Sequence, residues 1–264
     1  MHSSSSSMHR PLADVKWISL WSSLGFLFRS PRLLGWSLLL VLLTFGLTWG
    51  GYLLAAGFID HQTAGFFQQA PAAVGIWGWM QNLGWMIMKW TFVLVSRVVA
   101  FYLAFMLVYT LSAPAYVFLS SATEKKQSGE AFEEDAAFTC RGIISDIFEG
   151  LKIGVLGLVV TMAALTVGFI PLIGQVIVLL LYTYYSALMF LDYPTSRRRW
   201  SLGRKIGWIN QHRMAAFYLG ILPAVVSLIP ILNIFLMALL FPLLTVHATL
   251  NFSARQQAEN KGAA

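Results

Sequence analysis

The chain has 264 residues, of which 58% are hydrophobic and 11% charged, and its formal net charge is +7. That leaves too little polar surface to coat a soluble domain, so an integral membrane protein is expected and a separate soluble domain of useful size is excluded. A single cysteine, Cys140, excludes an intrachain disulfide and a cysteine cluster for zinc or iron–sulfur chemistry. It is read as a small side chain in a loop.

Residues 1–12 form a serine-rich N-terminus that is set aside as disordered or an expression remnant. Over 13–29, Trp17, Leu20, Trp21, Leu24 and Phe28 recur at helical spacing between Lys16 and Arg29. This predicts a helix lying in the headgroup plane or packed on other protein. The apolar run 33–59, about 27 residues, is long enough to span and is read as a retained transmembrane helix, not a cleaved signal. The next run, 90–123, would be about 51 Å long as one straight helix, well beyond a core of roughly 30 Å. It must tilt, protrude or bend, and Pro114, which lacks a backbone donor, is the place for a bend.

Two further apolar runs, 153–191 and 214–254, are each broken by an Ile-Pro: Gly168-Phe169-Ile170-Pro171-Leu172-Ile173-Gly174-Gln175 in one, Ser227-Leu228-Ile229-Pro230-Ile231-Leu232-Asn233 in the other. Each is read as a helical hairpin. The arms before the prolines, about 27 and 24 Å long, fall just short of the hydrocarbon thickness, so full spans and half-penetrating insertions both stay open. The expected fold class is an all-α integral membrane protein, a single membrane domain over 1–264, with an amphipathic N-terminal helix, two long transmembrane helices and two Ile-Pro hairpins. Arg10, Lys16, Arg29 and Arg32 before the first span, and Arg197, Arg198, Arg199, Arg204, Lys205 and Arg213 between the hairpins, put the N- and C-termini on the cytoplasmic side. The connection from Glu124 to Lys152 is acidic and is compatible with that side. Trp36, Trp49, Trp77, Trp79, Trp85, Trp90, Trp200 and Trp208 fall near span ends, where indoles favour the interface.

No His-Glu-x-x-His, Gly-x-x-x-x-Gly-Lys or Gly-x-Ser-x-Gly occurs in the chain, so neither an enzyme nor an ATP-driven pump is expected, and no cofactor or metal. Within the four apolar runs only Arg97 and His247 ionise. Cationic intramembrane groups suit anions better than cations, although Arg97 is also placed to snorkel to the interface and His247 to serve as a hydrogen-bonded packing residue. A helix restarting after Pro171 or Pro230 aims free N–H groups at the hairpin apex, where Gly174, Gln175 and Asn233 also lie. The alternative is that these residues form turns and caps. Non-helical backbone at membrane depth needs cover by protein, so a homo-oligomer is expected. The Arg197-Arg198-Arg199 run is read as topogenic charge touching anionic membrane lipids, not nucleic acid.

Ala113-Pro114, Phe169-Ile170-Pro171-Leu172-Ile173-Gly174-Gln175, Leu191-Asp192-Tyr193-Pro194, Ser227-Leu228-Ile229-Pro230-Ile231-Leu232-Asn233-Ile234-Phe235 and Ala248-Thr249 together resemble the bacterial CysZ sulfate permeases, whose wider group includes the eukaryotic etoposide-induced autophagy membrane proteins. The likeness runs from about Trp17 to Thr249 and is specific in the second half. It implies an inner-membrane protein with two long spanning helices, two hemi-penetrating hairpins and several protomers around a sulfate path. The family's Pro-Gly-Leu/Ile-Arg motif at the start of the first span is matched here by Pro31-Arg32-Leu33-Leu34, with Arg32 at the glycine position and Leu34 at the arginine position. Where the family usually has a glutamate seven residues after Pro114, this chain has Ser121, and Glu124 matches an acidic position just beyond.

The leading expectation is a passive or secondary anion permease, taking sulfate or another small oxyanion across the bacterial inner membrane. Arg32, Arg29 and Arg97 are the candidate anion-binding residues, and Pro171, Gly174, Gln175, Pro230 and Asn233 the candidate path or apex residues. The alternative is a non-transporting scaffold that organises lipids or partner proteins, for which an amphipathic helix and half-inserted hairpins suffice. A membrane-bound lipid enzyme is set aside because no catalytic constellation is visible.

Overall fold

The computed structural model describes residues 16–67, 70–71, 75–129, 140–229 and 232–263. Among them are eight α-helices: α1 (Leu20–Phe28), α2 (Pro31–Phe67), α3 (Gly75–Ser128), α4 (Cys140–Gly168), α5 (Ile173–Ser196), α6 (Leu202–Gln211), α7 (Arg213–Ser227) and α8 (Leu232–Ala263). Five of them hold stretches long and apolar enough to cross a membrane: Pro31–Phe67, Gly75–Phe105, Phe148–Gly168, Ile173–Ser196 and Phe235–Lys261. The protein is therefore an all-helical integral membrane protein.

The chain divides into two compact units, one made of Met1–Ser37 with Tyr116–Ala264 and the other of Leu38–Ala115. In the second, α2 and α3 run antiparallel. Gly51 lies against Ala104, where an added Cβ would come within 3.2 Å of the alanine methyl. Tyr52 meets Phe101 at 5.9 Å, and Phe67 meets Phe92 and Trp85 at 5.1 and 6.5 Å. Small residues bring the backbones together, as expected where packing rather than water exclusion drives helix association in lipid. The outer face is continuous hydrocarbon, with Leu42, Leu54, Leu94, Leu107 and Leu111 all exposed. Only lipid or another membrane helix can cover it.

Both helices outrun their expected limits. The first span ends at Phe67 instead of Ile59, and the second begins at Gly75 instead of Trp90. The reason is visible in the packing: the Phe67–Phe92–Trp85 contacts continue the seam past the charged residues that suggested a loop. Helix α3 also passes through Pro114 without interruption.

The first unit is built around α8. In its apolar stretch 72% of residues are buried, so α8 is the interior helix of this unit. Phe241 of α8 carries a ring cluster with Tyr116 at 4.7 Å, Phe190 at 4.8 Å and Tyr193 at 5.8 Å. Helix α5 packs on α7 and crosses it so closely at Gly220 that an added Cβ would sit 1.8 Å from the carbonyl oxygen of Thr183. Gly157 of α4 makes room for the Tyr185 hydroxyl of α5 in the same manner. Helix α1 starts at Leu20 because Ser19 caps it, its side chain accepting from the backbone N–H of Ser22 at 3.2 Å. It buries Ser23 and Leu27 and leaves Trp21 and Phe28 exposed. One face of this helix is thus packed on protein. Asn251 anchors its start, accepting from the N–H of Ile18 at 2.9 Å and donating to its carbonyl at 3.1 Å.

Cys140 opens α4 and is not a loop residue. Trp200 and Trp208, expected at the interface, are buried and pack on Phe252 at 5.3 and 5.8 Å. Trp36, Trp49, Trp77, Trp79 and Trp90 are exposed, as interfacial or lipid-facing indoles should be.

Replacing Gly220 by Ala forces a methyl into the Thr183 carbonyl, and overpacking of this kind costs about 1–3 kcal/mol. Thermal unfolding of Gly220→Ala in detergent is expected to show a lowered midpoint, whereas Gly203→Ala, where a Cβ meets nothing within 4 Å, should leave it unchanged. Equal midpoints for the two variants would contradict the close crossing.

Candidate functional site

Three places bring together the residues that carry charge or polarity. The first is the end of α2 and α3 in the second unit. Nη2 of Arg97 donates to both carboxylate oxygens of Asp60 at 2.8 and 2.7 Å, and Nη1 donates to the Ala56 carbonyl at 3.3 Å. Arg97 is therefore an ion-paired arginine. Asp60 escaped notice as its partner because it was placed in a loop, while α2 in fact continues past it and sets Ala56 and Asp60 one turn apart on the same face.

The second place comprises the segments around the two Ile-Pro dipeptides, expected to be hairpin apices. Between α4 and α5 the chain turns over Phe169–Leu172, with the Ile170 N–H donating to Val167 at 2.9 Å and the Gly174 N–H to Ile170 at 3.0 Å. Leu172 takes φ 62°, a left-handed conformation that puts local strain at the turn directly after Pro171. Gly174 has no alternative residue, because a Cβ there would lie 2.2 Å from the Val167 carbonyl oxygen. The Gln175 side chain donates from Nε2 to the Gly168 carbonyl at 3.1 Å, the last residue of α4. The second apex repeats the device: Nδ2 of Asn233 donates to the carbonyl of Ser227, the last residue of α7, at 3.3 Å, and its backbone N–H donates to Ile229 at 3.0 Å. Both amides thus cap the helix that precedes their turn, satisfying a carbonyl that has no intrahelical partner. Pro230 lies outside the described residues.

The third place lies around the other end of α8. Glu124 of α3 is buried between Arg197 and Arg198. It pairs with the Arg197 guanidinium through Oε2 and accepts from Nη2 of Arg198 at 2.6 Å through Oε1, and the side chains of Glu124 and Arg197 are 3% and 1% exposed. Arg198 also lies over the Phe252 ring at 5.1 Å. Beside them the buried Nζ of Lys205 donates to Asp192 at 2.6 Å, and the Ser196 hydroxyl donates to the same oxygen at 2.9 Å. Glu149 accepts from the N–H of Leu202 at 2.6 Å, holding the first turn of α6 against α4. Of the arginine run read as topogenic and touching lipid, Arg197 and Arg198 are turned inward onto Glu124 and Arg199 is exposed. His247, also buried, lies 2.8 Å from the Ser23 hydroxyl through Nδ1 and edge-on to Trp17 at 5.4 Å. That geometry is a packing and hydrogen-bonding role.

Adjoining this end is an open groove of about 760 Å³ between α1, α3 and α8. Arg29, Ser22 and Ser30 line it from the α1 side, and Lys126 and Gln127 from α3, with Leu250 at its floor. Among the described residues none of those lining it is acidic. Ser30 buries its hydroxyl on the Phe26 carbonyl at 2.7 Å and its carbonyl accepts from Leu34 at 2.9 Å, so the corner between α1 and α2 is fixed and Arg29 projects from it. Pro31, with no N–H to lose, takes the first position of α2. Arg32 is exposed in that first turn and is not among the groove residues. Gln127 donates to the Leu250 carbonyl at 3.1 Å.

Residues 19–238 match the family described as Sulfate transporter CysZ/Etoposide-induced protein 2.4. The chain belongs to this family. The family includes the CysZ sulfate transporter, and the match covers the Pro114, Ile170-Pro171 and Ile229-Pro230 segments. No match was found among individually curated proteins.

Sequence reasoning brought Arg29 and Arg32 to one corner of the fold but did not find Lys126 or Gln127, which reach the same groove from about 95 residues away. The apices and this groove are not one site. Leu250 at the groove and Leu232 at the apex are separated along α8 by about 27 Å, roughly one hydrocarbon thickness.

If Gln175 and Asn233 act as caps, replacing either by Leu removes one hydrogen bond to a helix-terminal carbonyl and costs about 1 kcal/mol. Thermal unfolding of Gln175→Leu and Asn233→Leu should show lowered midpoints in both. An unchanged midpoint in both variants would mean the amides are not structural.

Proposed function

We propose that the protein is a passive or secondary permease for a small oxyanion, sulfate first, with Arg29 and Lys126 as the groove cations that meet the anion and Arg32 as a flanking cation. The observation that carries this reading is the groove itself. Two cations and three polar side chains line it beside Ile18, Trp21, Phe26 and Leu250, and among the described residues no carboxylate does. Sulfate is a divalent, strongly hydrated anion, and leaving water requires N–H donors and positive charge in its place. Arg29 supplies a planar fork of donors and Lys126 a compact charge. Family membership supports sulfate as the substrate to test first.

In this reading the N- and C-termini and the groove face the cytoplasm, by the excess of Arg and Lys around α1 and in the α5–α6 connection. The 15 residues of α7 extend about 22 Å and cannot cross a core of roughly 30 Å. The second hairpin accordingly enters the membrane only part-way. Its apex then ends at membrane depth, where other protein must cover it, and this supports a homo-oligomer. The anion path runs between protomers, from the apices to the groove. Arg97, neutralised by Asp60, acts as a structural residue of the α2–α3 pair and not as an anion ligand.

Labelled sulfate uptake into proteoliposomes holding the purified protein tests this. Uptake above empty vesicles is expected, with a fall of about tenfold or more in apparent affinity for Arg29→Ala and Lys126→Ala, the scale of one lost charge-assisted hydrogen bond. Arg97→Ala should transport normally. No uptake by folded, inserted protein would sink the permease reading and favour the scaffold.

A further inference from the structure

We infer that the slot between α4, α5 and α6 is a binding site for one anionic phospholipid, with an acyl chain lying along α5 and the phosphate held by Arg213. The slot has a volume of about 490 Å³ and lies wholly within the first unit. Leu156 and Val160 of α4 form one wall, Leu180 and Tyr184 of α5 the other, and Asn210 with Arg213 stands at the mouth. The inference is independent of the transport reading and needs only a membrane around the protein.

Size and polarity select the ligand. The slot follows α5 from Ile177 to Leu188, a run of about 16 Å at helical rise, close to half of a core of roughly 30 Å. One acyl chain of a single leaflet fills that depth. Leu180 and Tyr184 are 39% and 36% exposed, so the slot opens sideways to the membrane and a chain can enter from the bilayer. The mouth is the polar end. Arg213 is exposed at the first position of α7, where the helix also presents its positive end. Among the described residues none of those lining the slot is acidic.

The neighbouring cations are already engaged, which makes Arg213 the one aimed at this slot. Arg197 and Arg198 hold Glu124, Lys205 holds Asp192, Lys152 holds Glu149, and Arg204 stacks over Trp200 at 4.0 Å. An acyl chain gains little by exchanging lipid neighbours for leucines, because bulk lipid is equally apolar. Selectivity must therefore come from the headgroup. A basic mouth over an apolar slot between membrane helices is the chemistry of an anionic phospholipid, not of a zwitterionic one.

The test uses the full-length chain purified in detergent, titrated with phosphatidylglycerol, with phosphatidylcholine of the same chains, or with inorganic phosphate. Thermal midpoint and native mass spectrometry are the readouts. The expected result is binding and stabilisation by phosphatidylglycerol well beyond phosphatidylcholine, and none by phosphate, which brings no chain. Arg213→Ala should raise the half-saturating phosphatidylglycerol concentration about tenfold, with recovery in Arg213→Lys. Leu180→Trp, which fills the slot and keeps the arginine, should abolish the selective stabilisation. Equal responses to the two lipids, or an unchanged phosphatidylglycerol response in both Arg213→Ala and Leu180→Trp, would overturn the site. So would a change of oligomeric state in Leu180→Trp with lipid binding intact, because the slot would then hold a second copy. Circular dichroism identifies a misfolded Leu180→Trp, in which case the Ala and Lys replacements of Arg213 decide.

Discussion

Glu124 placed between Arg197 and Arg198 is the interaction on which the first unit depends. A carboxylate and a guanidinium that are almost fully buried lose their hydration, at a cost of several kcal/mol per ion, and are tolerable only together. The pair ties the far end of α3 to the connection after α5. From there Asp192 and Lys205 fix α6, Glu149 holds the α6 start against α4, and Phe252 beneath Arg198 joins α8 to the same knot. At the other ends of α5 and α8 the chain comes from a helix that precedes an Ile-Pro. At those ends the Gln175 and Asn233 amides satisfy the last carbonyls of the preceding helices. Each terminus of the bundle is thus closed by polar groups that find partners in protein, as the lack of water in hydrocarbon requires.

Charge is divided by this arrangement into two populations. Most of the cations between the hairpins have anionic or aromatic partners and hold the fold. Arg29 and Lys126, the latter also 5.8 Å from the centre of the Phe26 ring, face an open groove, and Arg213 an apolar slot. The proposed anion path and the inferred lipid site both follow from that division. They differ in what surrounds the cation: in the groove, serines and an amide beside Ile18, Trp21 and Phe26 offer a hydrated oxyanion polar partners, whereas leucine and tyrosine walls suit an acyl chain.

Much of the architecture was legible in the sequence. The long apolar runs gave the helical class, and the Ile170-Pro171 turn marked the break between α4 and α5, because proline and glycine at a turn act locally. The boundaries were less legible. Asp60 and Lys89 ended the uncharged runs, but aromatic contacts between distant residues carry α2 and α3 past them. The inward pairing of Arg197 and Arg198 was missed for a similar reason: a basic loop and a buried ion cluster have the same local sequence. One signal was available in Glu124, an acid at the end of a long apolar run, opposite a loop carrying six bases and a single acid. Lys126 at the groove had no local signal, since only the packing of α1, α3 and α8 brings it to Arg29.

A double-mutant cycle between Glu124 and Arg197 tests this account most directly. Unfolding free energies of Glu124→Gln, Arg197→Met and the double variant should be compared with those of the parent protein in one detergent. Breaking a buried pair from one side typically costs about 3–5 kcal/mol, while replacing both partners costs far less. The account predicts a strongly destabilised Glu124→Gln and a double variant more stable than the sum of the single losses, with a coupling of about 1.5 kcal/mol or more. Losses that add to within about 0.5 kcal/mol would show that the two residues do not share an ion pair, and the knot described here would not be what holds the helices.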